Sequence, residues 1–290
     1  MKNLVIRALT GAALLLVMIS AILMPPYIFG VVFFALTILC LYEFYGLCYK
    51  VDQAKPISRW AMVGGGMLFL SVFFAELFKC PWIVPVLYVP FFTGTFVVEL
   101  FRHNGNPILN VAMSLLGHIY VALPFSCLCM IESMGASGDA GLDNVNWQGG
   151  LLVLAFFIAI WVSDTGAYLV GRAIGKHKLY ERVSPKKSWE GFWGGFVLAT
   201  TIGFLFGRYF PNLPKINDHQ LYDWQWAIFF ALISVLGTLG DLVESLFKRY
   251  FKVKDSSNML PGHGGFLDRF DSAIISAPFA YAILLLFFTK

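Results

Sequence analysis

The stretch MKNLVIRALTGAALLLVMISAILMPPY, residues 1–27, opens with basic Lys2 and Arg7 and continues as a long apolar run. A secretory leader starts the same way, but no clear small-x-small cleavage site follows, and another apolar segment begins almost at once. The stretch therefore reads as a transmembrane helix retained in the mature protein, the first of a series. About 20 apolar residues cross the hydrocarbon core as a helix. Nine segments qualify: 4–23, 27–48, 60–78, 81–98, 108–131, 149–170, 190–210, 224–247 and 270–289. Gly64, Gly65 and Gly66 in the third, and Pro85 and Pro90 in the fourth, are tolerated in membrane helices. The expected class is all-α, a polytopic integral membrane protein of about nine helices. Residues 1–131 supply five spans. Residues 132–290 carry the remaining spans, with basic loops at 171–189 and 248–269.

Composition agrees. Of 290 residues, 58% are hydrophobic and only 13% charged, about half the charged share of an ordinary soluble domain. Basic residues are confined to short loops, so nucleic acid is not an expected partner, and the lipid bilayer is. The five cysteines form no CxxC pair and mostly sit in apolar runs, as buried small hydrophobes do.

Orientation follows from the basic residues of alternate loops. With the N-terminus in the cytoplasm, only Lys79, Arg208, Lys215 and Lys290 fall outside, leaving 17 of the 21 Lys and Arg inside. The two loops at 171–189 and 248–269 together hold 11 of them. The acidic stretch Glu132–Gln148 reads as an outer, solvated connector.

Several acids lie inside apolar spans, where a carboxylate costs about 2.5–3.5 kcal/mol at the bilayer centre. Asp164 lies near the cytoplasmic end of the sixth span and Asp241 near that of the eighth. Asp241, Glu244 and Ser245 share a helix face by their i, i+3, i+4 spacing. Asp268 and Asp271 open the ninth span. The predicted topology puts all four aspartates at one depth on one side, and hard oxygen ligands with open positions suit Mg²⁺. Isolated structural ion pairs are the simpler reading for any single acid, and a poorer one for the set.

The segment LPGHGGFLDRFD, Leu260–Asp271, joins Gly264 and Gly265, whose backbone can approach a phosphate closely, to His263 and Arg269. His263 reads as a general acid or base, a phosphate ligand or a turn residue. The other loop offers Ser184, Lys186 and Lys187, point charges and hydroxyls for phosphate. Positive-inside bias and attraction to anionic headgroups account for the number of charges, but not for the acids, glycines and serines among them.

The stretch SLFKRYFKVKDSSNMLPGHGGFLDRFD, Ser245–Asp271, resembles the signature of phosphatidate cytidylyltransferases, also called CDP-diacylglycerol synthases. WVSDTGAYLVGR (161–172) and RVSPKKSWEG (182–191) are similar to family segments as well, so the resemblance is strongest over residues 155–275. It implies Mg²⁺-dependent conversion of CTP and phosphatidate to CDP-diacylglycerol and pyrophosphate; the short N-terminus and compact length suggest a bacterial inner membrane, and the loop charges put the site on its cytoplasmic face. By the same resemblance Asp241, Asp268 and Asp271 hold the metal ion or ions. Ser184, Lys186, Lys187, Lys248 and Arg249 hold triphosphate or the lipid headgroup, with Ser245, Lys254, Gly264 and Gly265 beside them. Asp164 shapes the nucleotide pocket and Arg269 lies near the leaving pyrophosphate. The resemblance further suggests a homodimer.

Three rivals stand beside this. A polyprenol kinase using CTP would share the metal–nucleotide site but release CDP. A CDP-alcohol phosphotransferase would need a D-x₂-D-G-x₂-A-R run, which is absent. A transporter would place its charges near the midplane and show an inverted repeat, and none is evident.

Overall fold

The computed structural model describes residues 2–134, 147–210, 215–216 and 219–288. The acidic connector lies outside the described residues from 135 to 146, as does Lys290. Helices dominate: α1 Lys2–Leu23, α2 Pro26–Cys48, α3 Ser58–Phe78, α4 Ile83–Leu100, α5 Pro107–Gly117, α6 Leu123–Ser133, α7 Trp147–Ile174, α8 Trp189–Tyr209, α9 Asp223–Tyr250 and α10 Leu267–Phe288. Among the described residues, seven helical stretches are long and apolar enough to cross a membrane, and the chain is a polytopic α-helical membrane protein. The remaining two expected spans are helices of a different kind. In α1, Leu9–Leu23 forms a shorter apolar stretch among the residues whose side chains are described. In α8 five glycines and two threonines dilute the apolar character.

Local chemistry explains the ends. Pro26 starts α2 at a position where a missing N–H costs nothing. Asn106 caps α5 by accepting from the N–H groups of Ile108 and Leu109. Between α5 and α6 the chain widens into one π-helical turn, His118–Ala122, directly ahead of Pro124. Proline lacks the N–H and crowds the carbonyl four residues back, and a π-bulge relieves both. The turn buries His118, whose ring bonds Tyr88 Oη at 3.0 Å and the Ala61 carbonyl at 2.8 Å.

Two short antiparallel ribbons were not foreseen. Strand β1 (Lys178–Tyr180) pairs with β2 (Ser184–Ser188), and β3 (Lys215–Ile216) with β4 (His219–Gln220). The first ribbon turns the basic loop after α7 into a fixed platform. Ser188 ends β2 and caps α8 by accepting from the Gly191 N–H at 3.2 Å.

Helix α8 packs closely between α7 and α9. Its buried face is Gly191, Gly195, Ala199, Gly203 and Gly207, a small residue at every fourth position. Without a hydrophobic drive between helices in lipid, such seams let backbones approach and gain dispersion contact. These glycines pack against α7 and α9 of the same chain. Ser163 of α7 and Ser234 of α9 share a buried hydrogen bond of 2.6 Å across the bundle. Phe33 of α2, Phe125 of α6, Phe157 of α7 and Phe270 of α10 form one aromatic cluster, so the apolar core runs through both halves of the chain. The five cysteines are free and four are buried.

A side chain at Gly195 would run into the Ser163 carbonyl of α7. Gly195→Val should therefore cost about 1–3 kcal/mol of stability, read as an earlier unfolding midpoint in denaturing detergent. Gly46, with open space around it, should accept alanine without loss. Equal midpoints for the two variants would refute the tight α7–α8 seam.

Candidate functional site

The C-terminal ends of α7 and α9 and the N-terminal ends of α8 and α10 meet at one end of the bundle, where both basic loops lie. Arg249 Nε donates to the Val183 carbonyl at 3.2 Å, and Lys187 Nζ reaches Asp241 Oδ2 at 2.6 Å. The platform formed by β1 and β2 is thereby fastened to α9. Gly240 allows α9 to pass against the backbone of Asp271 and Ser272. The result is a hollow of about 780 Å³, a size typical of ligand sites.

Four aspartates expected at one depth all line this hollow: Asp164 from α7, Asp241 from α9, and Asp268 and Asp271 from α10. Lys186, Lys187, Lys248, His263 and Arg269 line it too. An adjoining hollow of about 490 Å³ shares His263 and Arg269 and adds Lys254 and Gly264. The other side of the main hollow is apolar, walled by Leu14, Leu15 and Met18 of α1 and by Phe157, Ile160 and Trp161 of α7. One cavity thus offers a charged end and a hydrocarbon-like end.

The remaining predicted residues stand behind these walls. Ser245 Oγ donates to Asp241 Oδ1 at 3.1 Å and fixes that carboxylate. Arg249 ties the platform down, and Ser184 begins β2 without lining either hollow. Gly265 is packed beneath the loop, and its N–H donates to Asp268 Oδ2 at 2.8 Å. That amide is already engaged inside the protein and does not face a phosphate.

The four aspartates are not equivalent. Asp268 is buried, with Oδ1 taking Lys248 Nζ at 2.8 Å and Oδ2 taking the Ser256 N–H, the Ser256 hydroxyl and the Gly265 N–H. Lys248 also pairs with Glu244, one turn back on α9 and only 1% exposed. Asp271 Oδ1 accepts from the Ser272 N–H at 2.6 Å, while Asp164 is exposed to the hollow. Asp268 is thus a structural keystone, whereas Asp164, Asp241 and Asp271 present carboxylate oxygens to the space. Among the described residues, no three acidic, histidine or cysteine side chains come close enough to form a metal cage by themselves. Mg²⁺ ordinarily takes one or two carboxylates and completes its shell with water and substrate phosphates. Asp241 and Asp271 fit that demand.

Other groups at the site were not anticipated. Thr10 Oγ1 of α1 shares a hydrogen bond of 2.8 Å with His263 Nδ1, joining the first helix to the glycine loop. Glu43 of α2 reaches the same loop from below. Glu43 was detectable in sequence, since it is an acid inside the second apolar span, the feature that singled out Asp164 and Asp241. Another acid of an apolar helix, Glu99 of α4, is satisfied structurally by Arg102 at 3.0 Å and the Asn110 amide at 2.6 Å.

A model of the cytidylyltransferase family matches residues 5–287. The chain belongs to that family. It is 31% identical over 288 residues to the phosphatidate cytidylyltransferase of Bacillus subtilis, covering 97% of each chain. It is 29% identical over 283 residues to that of Staphylococcus epidermidis, and 46% identical over 137 residues to that of Haemophilus influenzae, there covering 46% of this chain and 45% of the relative. As a cytidylyltransferase it is an enzyme of nucleotidyl transfer.

Removing Lys248 leaves Glu244 and Asp268 buried without their cation. Lys248→Met should destabilise the protein by roughly 3–5 kcal/mol, and adding Glu244→Gln should restore part of that loss. Strict additivity in the resulting double-mutant cycle would show that the pair is not coupled.

Proposed function

We propose that this protein is a phosphatidate cytidylyltransferase, which joins the phosphate of phosphatidate to the cytidylyl group of CTP and releases pyrophosphate. The observation that supports it most is the two-natured hollow: the carboxylates of Asp164, Asp241 and Asp271 with several cations at one end, and an apolar wall of α1 and α7 at the other. A nucleotide triphosphate needs the first, and a diacyl lipid needs the second. Relatives named for this reaction match the chain along its whole length.

The chain's own residues would act by position and charge. The lipid phosphate is already ionised, so attack on the α-phosphorus of CTP needs no strong base. Lys186, Lys187 and Arg269 would hold phosphate oxygens, and Lys254 would extend that reach into the adjoining hollow. In the resting protein Lys187 neutralises Asp241, and binding would share both with the incoming charges. Asp241 and Asp271 would hold Mg²⁺, and Asp164 would complete the pocket for metal or ribose. When bound, Mg²⁺ would neutralise charge developing on the phosphates. His263, fixed by Thr10, would serve as a phosphate contact. Asp268 would act through Lys248 and the glycine loop.

Nine spans with a cytoplasmic N-terminus put the two basic loops, and hence the site, at the cytoplasmic surface of a bacterial inner membrane, as the 17-to-4 partition of basic residues favours. CDP-diacylglycerol made there would enter phospholipid synthesis, and two copies would form a homodimer by family analogy.

Purified protein in detergent, given Mg²⁺, phosphatidate and CTP labelled in cytidine, should form a lipid-linked cytidine and release pyrophosphate in equal amount. Release of CDP with a phosphorylated lipid would overturn the assignment in favour of a kinase. Asp241→Asn and Asp271→Asn should each lower turnover by at least about 100-fold while inserting normally. Lys187→Ala should mainly raise the KM for CTP.

A further inference from the structure

The N-terminal helices carry little of the recognisable chemistry, yet one buried carboxylate leaves them and grips the most distinctive loop of the chain. Glu43, 3% exposed, sits near the end of α2. Its Oε1 accepts from the Ser257 hydroxyl at 2.6 Å and the Phe266 N–H at 2.9 Å. Its Oε2 accepts from the Ser256 hydroxyl at 2.8 Å and the Leu267 N–H at 2.9 Å. Four neutral donors thus fill the two oxygens of a buried anion, at the start of α10, where helix amides and the helix dipole favour negative charge.

The four donors come from both ends of the loop that joins α9 to α10. Ser256 and Ser257 lie at its beginning, Phe266 and Leu267 at its end, so one side chain closes the whole turn. Ser256 is also bound by Asp268, which links the clamp to Lys248 and the hollow. Gly265 has no room for a side chain because Ser256 Oγ and the Glu43 carboxylate occupy that space. Between the clamped ends lie His263 and Gly264, which line the hollows, and directly after them Arg269 and Asp271.

We infer that Glu43 is a positioning residue for nucleotidyl transfer, setting the loop and the first turn of α10 so that Asp271, Arg269 and His263 face the substrates. The inference rests on the proposed reaction for its effect on turnover. Its structural half, that Glu43 orders residues 255–267, does not. Glutamine is nearly the same size but is a poor substitute. Each Glu43 oxygen accepts one hydroxyl and one backbone N–H, so an amide NH₂ at either place must face an N–H donor.

The test is Glu43→Gln in the full-length protein in detergent, with Phe33→Leu as a variant that loosens the core without touching the loop. Amide hydrogen exchange over 255–267 should quicken at least about tenfold in Glu43→Gln, while α2 keeps its protection. Turnover should fall roughly 100-fold through kcat, with the KM for CTP little changed. Phe33→Leu should leave both readouts near those of the unaltered protein at a temperature where it is folded. Should Glu43→Gln fail to fold, Ser257→Ala removes one of the four donors and should give roughly a tenfold effect on exchange and kcat. Unaltered exchange in these variants would overturn the clamp, and fast exchange with undiminished kcat would overturn the positioning role. Absence of lipid-linked product from the unaltered protein would count against the reaction, with exchange still deciding the clamp.

Discussion

A charge held at the depth of a membrane helix must find a partner or leave, and that constraint organises this protein. Lys248 is held between Glu244 and Asp268, Lys187 between its own ribbon and Asp241, and Glu43 among four hydrogen-bond donors. Apart from Lys248 and Glu244, which lie one turn apart on α9, these pairings tie one element to another, so satisfying the charges also helps to fix how the ends of α7 to α10 meet. The glycine face of α8 lets α7, α8 and α9 approach closely.

The same arrangement sorts the acids by use. Asp268 and Glu43 have every oxygen occupied by the protein and act as fasteners. Asp241 is held by Lys187, itself a residue of the hollow, and by Ser245; Asp271 is held through one oxygen by the Ser272 N–H; and Asp164 stands exposed to the hollow. On the proposed reading this division lets a site of high charge persist without substrates, since lysine stands in for what the cation and phosphates would otherwise balance. The apolar wall of α1 and α7 lies next to that charge, so a molecule with a phosphate head and acyl chains spans both environments.

Much of this was legible in the residues. Apolar runs of helical length gave the class, and the extents of α2, α3, α9 and α10 lie within a few residues of those expected. Acids inside apolar runs pointed to the residues that line the hollow, because their cost in a membrane demands a reason. What stayed hidden depends on contacts between separate segments. Nothing in SPKKS announces a strand, since the ribbon forms by pairing with Lys178–Tyr180 rather than by propensity. Asp268 and Asp271 look alike in sequence, and only the neighbouring Ser256 and Gly265 amides mark Asp268 as the anchored one. Gly265 looked like a phosphate contact because glycine permits close approach, yet what approaches it is Glu43 and Ser256. Glu43 itself obeyed the rule that picked out Asp164, but its partners lie more than 200 residues away.

The central claim is that carboxylates from α9 and α10 share one divalent cation with the nucleotide. Electron paramagnetic resonance of Mn²⁺, used in place of Mg²⁺, measures this directly on the purified protein with CTP. The account predicts a protein-bound Mn²⁺ signal that sharpens in affinity when CTP is added and disappears when both Asp241 and Asp271 are asparagine. A bound signal of undiminished affinity in that double variant would contradict it.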